Sequence, residues 1–286
     1  MRKFQKGGHK IILGDVLEAL TQEIKERSID LIFADPPYNI GKKFITLPDK
    51  WDSEQSYLEW SYKWLDLCIK KLKDNGSMYV MTSTQNMPHF DIFLRDKLTI
   101  LSRIVWYYDS SGVQARKYFG SLYEPILHCV KDNKNYTFNR QDILVEARTG
   151  AVRKLVDYRK PKPTLYNSKK VPGNVWQIPR VRYRMSEYEN HPTQKPILLL
   201  ERIIKASTNK GDVVLDPFSG TFTTSFVAKQ LERKSIGIEI QEEYVKMGLR
   251  RLQIASQFNG QLLKKPLRSF KNRRAKKKTV LNLFEG

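Results

Sequence analysis

Cysteine, acidic residues and long apolar runs are scarce in this sequence. Only two cysteines occur, Cys68 and Cys129, each inside an apolar stretch. That usage excludes a disulfide framework or a zinc site and reads as two small buried hydrophobes in a reduced cytoplasm. No metal is expected. No run of eighteen apolar residues is present, so no membrane-spanning helix is expected. The first residues, Met1–Gly8, are basic but no apolar segment follows them, so no secretory signal is expected. No internal repeat is found.

Acid is the scarcer charge: 30 Asp and Glu stand against 51 Lys and Arg, a formal net charge of +21. Such an imbalance opposes compaction by self-repulsion and steers encounter with a polyanion. Because no amphipathic basic helix stands out, nucleic acid fits better than a membrane surface. The 286 residues suit one large α/β domain with a smaller insertion.

Short apolar runs alternate with helical patterns, the signature of parallel βαβ units. Strands are expected at Ile11–Leu13, Leu31–Ala34, Met78–Met81, Ile104–Tyr108, Ile126–Val130, Val213–Leu215 and Ser235–Ile240. Helices are expected at Ser53–Lys73, Pro196–Ser207, Thr223–Gln230 and Glu242–Gln257. In the first helix, Tyr57, Trp60, Trp64, Leu65 and Cys68 recur at three- and four-residue spacing, which directs them to the core, and Asn75-Gly76 is read as its end. The stretch from Asp132 to Asn190 breaks the pattern. It is polar and broken by prolines, and its part from Ala151 onward holds ten Lys or Arg against three acids. A long irregular stretch inside a compact domain is usually functional. The tail from Lys264 to Lys278 holds nine basic residues and no acid, a composition of disordered segments.

Two turns carry chemistry. Asp35-Pro36-Pro37-Tyr38 follows the apolar strand Asp30–Ala34 directly. In an open α/β sheet, ligands bind at the carboxyl ends of strands. Two prolines stiffen the turn and remove backbone donors, leaving carbonyl acceptors. A carboxylate plus a rigid carbonyl can accept both hydrogens of an –NH₂ group and draw its nitrogen toward tetrahedral character, while the aromatic ring stacks on the base. The plainer reading is a proline-stiffened turn with a capping Asp; its place after a buried strand favours the site. The second turn lies in Val213–Thr224, with Asp216, Phe218, Ser219, Gly220 and Thr221 between strand and helix. Its glycine lets a ligand approach the backbone, and the helix N-terminus can hold a carboxylate. Glu239 ends the next strand about twenty residues on, where an acid can take ribose hydroxyls; otherwise it is the surface acid of a plain βαβ unit.

Asp35–Tyr38, Asp216–Phe222 and His191-Pro192-Thr193-Gln194-Lys195-Pro196 together resemble the amino-methylating DNA methyltransferases. Their order, catalytic loop before cofactor loop, is that of the β class, and further segments resemble its orphan adenine-N6 members; the likeness runs from about Lys10 to Gln257. The resemblance implies a Rossmann-like S-adenosylmethionine-binding fold, a mostly parallel sheet with helices on both faces. It divides the chain into a catalytic half (1–131), a target-recognition insertion (132–190), a cofactor half (191–257) and a basic tail (258–286). Asp35 and the Pro36 carbonyl would grip the adenine amino group, with Pro37 completing the turn and Tyr38 stacking on the flipped base. Asp216, Phe218, Ser219, Gly220 and Thr221 would form the cofactor loop, Glu239 would bind the ribose, Lys195 and Thr193 would lie near the methionine end, and Asp35 would also border the cofactor. Asp15 matches a position that contacts the cofactor's adenine, although a Gly-Asp pair is also an ordinary helix start. Double-stranded DNA would be the partner, read by Arg153, Arg159, Arg180, Arg182 and Arg184, each by itself an ordinary solvated charge. The target would be a palindrome of the ATGCAT type, a symmetry often met by a homodimer. Neither cysteine lies in the Pro-Cys loop that cytosine-C5 methylation needs. Cytosine-N4 methylation, where Ser often replaces the Asp, RNA or protein amide methylation, where Asn is common, and a noncatalytic nucleic-acid-binding module on the same fold are the alternatives. One departure stands out: Phe222 occupies the second glycine position of the usual Phe-x-Gly-x-Gly loop and must point away from the cofactor or reshape its pocket.

Overall fold

The computed structural model describes residues 1–42, 44, 49–108, 116–147, 154–159 and 161–263. Among them, one central sheet is built from β1 (Arg2–Lys6), β2 (His9–Leu13), β3 (Ile29–Ala34), β4 (Leu72–Met81), β5 (Thr99–Tyr107), β6 (Tyr123–Val130), β7 (Val175–Gln177), β8 (Val213–Asp216) and β9 (Lys234–Glu239). Their order across the sheet is β1-β2-β9-β8-β3-β4-β6-β5-β7. From β2 to β4 neighbouring strands run parallel. Strand β6 runs antiparallel to both β4 and β5. The helices are α1 (Val16–Glu23), α2 (Glu54–Lys71), α3 (Met87–Arg95), α4 (Ile197–Ser207), α5 (Thr223–Gln230) and α6 (Glu242–Leu252).

Every residue of β3 is buried, as a parallel strand covered on both faces requires. Its Ile32 and Ala34 join one core with Leu20, Tyr57, Trp64 and Phe90 of α1, α2 and α3. Its Leu31 and Phe33 join the opposite core with Leu199, Ile203 and Val227 of α4 and α5. The chain therefore leaves β3 toward one face and β8 toward the other, although these strands are paired neighbours. Divergence of this kind opens a crevice at the carboxyl ends of the two strands.

The expected strands and the four expected helices are all present, with several different boundaries. Helix α2 ends at Lys71, because Leu72 already pairs with Ile29; Asn75-Gly76 lies instead in an irregularity of β4. Helix α6 ends at Leu252, where Gln253 turns left-handed at φ +58°, and Phe258 then packs beneath against Phe4. Strand β1 and helices α1 and α3 carry too short a pattern to stand out in sequence. Within 132–190 the structure holds a 3-10 turn, Arg140–Ile143, and two short ribbons, Val145–Glu146 with Lys169–Lys170 and Val156–Asp157 with Thr164–Leu165. The same stretch sends β7 back to pair with β5 at the sheet edge. Cys68 and Cys129 are fully buried free thiols. No described helix is long and apolar enough to cross a membrane. Of the basic tail, residues 258–263 are described and belong to a short ribbon, Gln257–Phe258 with Gln261–Leu262, while residues 264–286 lie outside the described residues.

Candidate active site

The carboxyl ends of the parallel strands surround a cavity of about 540 Å³. Asp15 enters it after β2, Gln241 after β9, Phe218 and Gly220 after β8, Asp35 and Tyr38 after β3, and Thr84 after β4. Because β6 is antiparallel, it presents its first residues, Tyr123 and Glu124, at the same edge. The two chain-distant turns therefore share one space.

The turn after β3 is held from several sides. The Pro37 carbonyl accepts from the Tyr57 hydroxyl of α2 at 2.9 Å, and the Tyr38 carbonyl accepts from the Asn86 amide at 2.9 Å. Asn39 adopts a left-handed φ of +58°, and its backbone N–H donates to Asp49 Oδ1 at 2.6 Å. With Pro37 committed to Tyr57, Pro36 is left as the prolyl carbonyl of the turn that can serve a ligand. Asp35 receives the Lys195 ammonium on Oδ2 at 2.6 Å and the Tyr38 hydroxyl on Oδ1 at 2.6 Å. Burial raises the Asp35 pKa, opposed by Lys195 and assisted by the nearby Glu124. Glu124 meets the same two donors, Tyr38 at 3.2 Å and Lys195 at 3.5 Å, and accepts from the Tyr108 hydroxyl at 3.0 Å. Burial works against its ionisation, but Lys195 and the hydroxyl donors outweigh it and hold Glu124 below the usual range. For Lys195, burial favours the neutral amine, yet the two carboxylates prevail and keep it protonated.

Lys195 reaches this place because the segment before α4 folds on itself. Gln194 donates to the Glu187 carbonyl and accepts from the Glu189 N–H, while Glu187 caps α4 at the Ile197 N–H. The same segment sets the His191 ring beside Gly220, where a Cβ would lie 3.0 Å from Nε2. Gly220 also has a φ of +46°, so glycine is required there on both counts. Burial, then Lys195 and Lys42, push His191 down to about 3, leaving it neutral.

On the opposite wall, Glu239 accepts the Gly220 N–H at 2.9 Å and the Gln241 N–H at 2.8 Å, leaving further lone pairs on each oxygen for a ligand. Phe218 presents its ring with Trp60 edge-on at 5.7 Å. Trp60 packs against the core as expected of the α2 aromatics, but it is only half-buried and its free side lines the cavity. Asp15 lines the cavity and also caps α1, accepting the Leu17 and Glu18 N–H groups. Thr193 lines it as well. Asp216, Ser219 and Thr221 are buried behind the loop instead. Asp216 accepts from the Phe218 N–H and the Thr224 hydroxyl, Ser219 donates to the Asp216 carbonyl, and Thr221 bonds Thr223. They shape the loop and line a smaller pocket that shares Asp35, Lys195, Phe218 and Gly220 with the cavity.

Phe222 resolves the departure from the glycine pattern. It takes a left-handed φ of +57° and buries its ring completely in the α6 core. The space comes from two other glycines. A Cβ on Gly237 would lie 2.7 Å from the ring and one on Gly248 2.4 Å from it. The ring points away from the cavity.

Of the expected DNA contacts, Arg180 lines the cavity and stacks over the Tyr108 ring at 4.7 Å. Arg182 and Arg184 are exposed nearby in sequence, and exposed Arg159 forks onto Asp157 at 2.8 Å. Arg153 lies outside the described residues. Sequence reasoning missed Glu124, Asp49, Asn86 and Trp60. Only Glu124 left a trace, as an acid opening the otherwise apolar run Pro125–Val130.

The chain matches the protein family described as DNA methylase, the N6/N4 methyltransferases, over residues 29–250. It is 59% identical over 263 residues to the DNA adenine methyltransferase YhdJ of Escherichia coli (strain K12), covering 92% of this chain and 89% of that protein. It is 37% identical over 253 residues to the type II methyltransferase M.HpaI of Haemophilus parainfluenzae, covering 88% and 76% respectively. The solved complex of M1.HpyAVI with SAM superposes with a TM-score of 0.57 at 26% identity, covering 85% of this chain and 98% of that one.

Proposed function

Since the chain belongs to the DNA methylase family, we propose that it transfers a methyl group from S-adenosylmethionine to N6 of adenine in double-stranded DNA, in the cytoplasm at the nucleoid. The observation that carries this reading is the single cavity joining the Asp35–Tyr38 turn to Gly220 and Glu239. Its donor set fits the cofactor: a strand-end carboxylate for ribose hydroxyls, a glycine that lets a ligand reach the backbone, and the Phe218 and Trp60 rings for flat or apolar parts. Glu239, Phe218 and Gly220 would hold it, with Asp15 toward its adenine and Thr193 and Lys195 toward its methionine end. Asp216, Ser219 and Thr221 would keep the loop in shape. The cofactor supplies an electrophilic methyl on a sulfonium.

The chain's own residues do the rest. Tyr38 stacks on the extruded adenine and replaces its lost neighbours. Asp35 and the Pro36 carbonyl accept the two amino hydrogens, localise the nitrogen lone pair and aim it for direct in-line transfer, with no covalent enzyme intermediate. As the nitrogen–methyl bond replaces the methyl–sulfur bond, Asp35 stabilises the positive charge that develops on nitrogen, which then sheds one proton. Arg180 at the cavity, with Arg182, Arg184, Arg159 and Arg153, supplies phosphate contacts and base readout in the 132–190 region, toward an ATGCAT-type palindrome.

Incubation of the purified chain with methyl-labelled cofactor and duplex DNA, followed by modification-sensitive sequencing, tests this. N6-methyladenine in one short palindrome is expected; N4-methylcytosine, or DNA binding without transfer, overturns it. Asp35→Ala should lower transfer more than about a hundredfold while cofactor affinity stays within a few-fold. Normal turnover in that variant refutes the assigned role.

A further inference from the structure

Asp35 is crowded with donors. The Tyr38 hydroxyl and the Lys195 ammonium each sit 2.6 Å from one of its oxygens, the positions from which an amino hydrogen would be accepted. Each donor already on a carboxylate weakens it as an acceptor for the next. A base amino group, a poor donor in this competition, gains full use of Asp35 only if these donors have somewhere else to go. The low dielectric of a buried site makes an unpaired phenol or ammonium costly, so they cannot simply let go.

Glu124 provides that place. Its Oε2 lies 3.2 Å from the Tyr38 hydroxyl and 3.5 Å from the Lys195 ammonium, both longer than the matching contacts to Asp35. The Tyr108 hydroxyl, donating to Oε1 at 3.0 Å, fixes the Glu124 carboxylate from its far side. Lys195 and Tyr38 thus bridge two carboxylates, and a displacement of less than about 1 Å moves both donors from one to the other. A second buried carboxylate beside Asp35 is electrostatically expensive, and Lys195, in reach of both, offsets it.

Resting on the methyltransferase reading above, we propose that Glu124 is a positioning residue for the transfer. It takes over the Tyr38 hydroxyl and Lys195 ammonium when the adenine amino group engages Asp35. The Tyr38 ring is then anchored through its hydroxyl in the orientation needed for stacking, and Asp35 is left as a strong acceptor. No bond is made or broken in this exchange; three hydrogen bonds change partners.

Single-turnover transfer by Glu124→Gln, Tyr38→Phe and the double variant tests it, alongside cofactor affinity measured by calorimetry. Glu124→Gln should slow transfer roughly tenfold or more, the range of a hydrogen bond to a charged group, with KM for DNA and cofactor affinity changed only a few-fold. Tyr38→Phe removes one of the competing donors and keeps the stacking face, so the loss from Glu124→Gln should shrink markedly in that background. Equal losses in both backgrounds, or full-rate transfer by Glu124→Gln, overturn the inference while leaving the methyltransferase reading intact. No transfer by the unaltered chain overturns both. Cofactor affinity reports whether each variant is folded. Should the glutamine variant not fold, Glu124→Asp, which keeps the charge but withdraws the carboxylate by one methylene, serves in the same comparison with the same criteria.

Discussion

Glu239 illustrates how one side chain can couple cofactor capture to pH. Burial pushes its carboxyl up to about 7, with the Gln241 and Gly220 backbone N–H groups pulling the other way. Ribose hydroxyls donate to the ionised form, so cofactor affinity should rise as pH climbs from 6 and level off above about 7. Below the pKa, each unit of pH changes affinity at most ~10-fold. Calorimetric titrations across that window check it; Glu239→Gln should bind more weakly and show a shallower profile. Phe222 is the other instructive residue. A left-handed backbone carrying a buried ring is costly, and it persists because Gly237 and Gly248 leave room. Gly248→Ala, whose Cβ would meet the ring at 2.4 Å, should destabilise the fold by about 1–3 kcal/mol in denaturant unfolding. Much of that loss should be recovered in combination with Phe222→Ala, because the two changes act on one space.

Among elements, α6 and the segment before α4 act together on the loop after β8. Arg251 of α6 donates to the Thr221 carbonyl at 2.7 Å and to the Thr223 hydroxyl at 3.0 Å. It also approaches Glu189 at 3.9 Å, and Glu189 pairs in turn with Arg250. One buried guanidinium thereby ties the end of the arginine-rich stretch to the glycine loop of the cavity. Arg251→Ala should raise the cofactor dissociation constant roughly tenfold or more, the worth of charge-assisted hydrogen bonds in a buried place. Lys246→Ala, on the same helix but paired with Glu242 and Glu243 at an exposed site, should leave that constant unchanged. Calorimetry on both variants measures the difference. The turn after β3 has comparable support from Tyr57, Asn86 and Asp49, three separate stretches of the chain converging on one loop.

For the whole molecule, the net charge of +21 sets long-range behaviour. Removing the tail after residue 263, with its nine basic residues between Lys264 and Lys278, should flatten the salt dependence of DNA binding without changing the methylated site. An unchanged slope in filter-binding or anisotropy titrations counts against any contribution of the tail. The alternating α/β architecture, the buried strands and the two chemical turns were legible in the order of residues, because apolar runs and stiff turns are local properties written in consecutive residues. Asp35–Tyr38 and Gly220 could be singled out in that way. That these turns face one cavity followed only from the folded chain, since the pairing of β3 with β8 joins residues far apart in the chain. It also brought Glu124 beside Asp35 and Lys195 from the start of an antiparallel strand, and found the slot for Phe222 between Gly237 and Gly248. Both are packing outcomes with no local period, so only the assembled sheet and helices could reveal them.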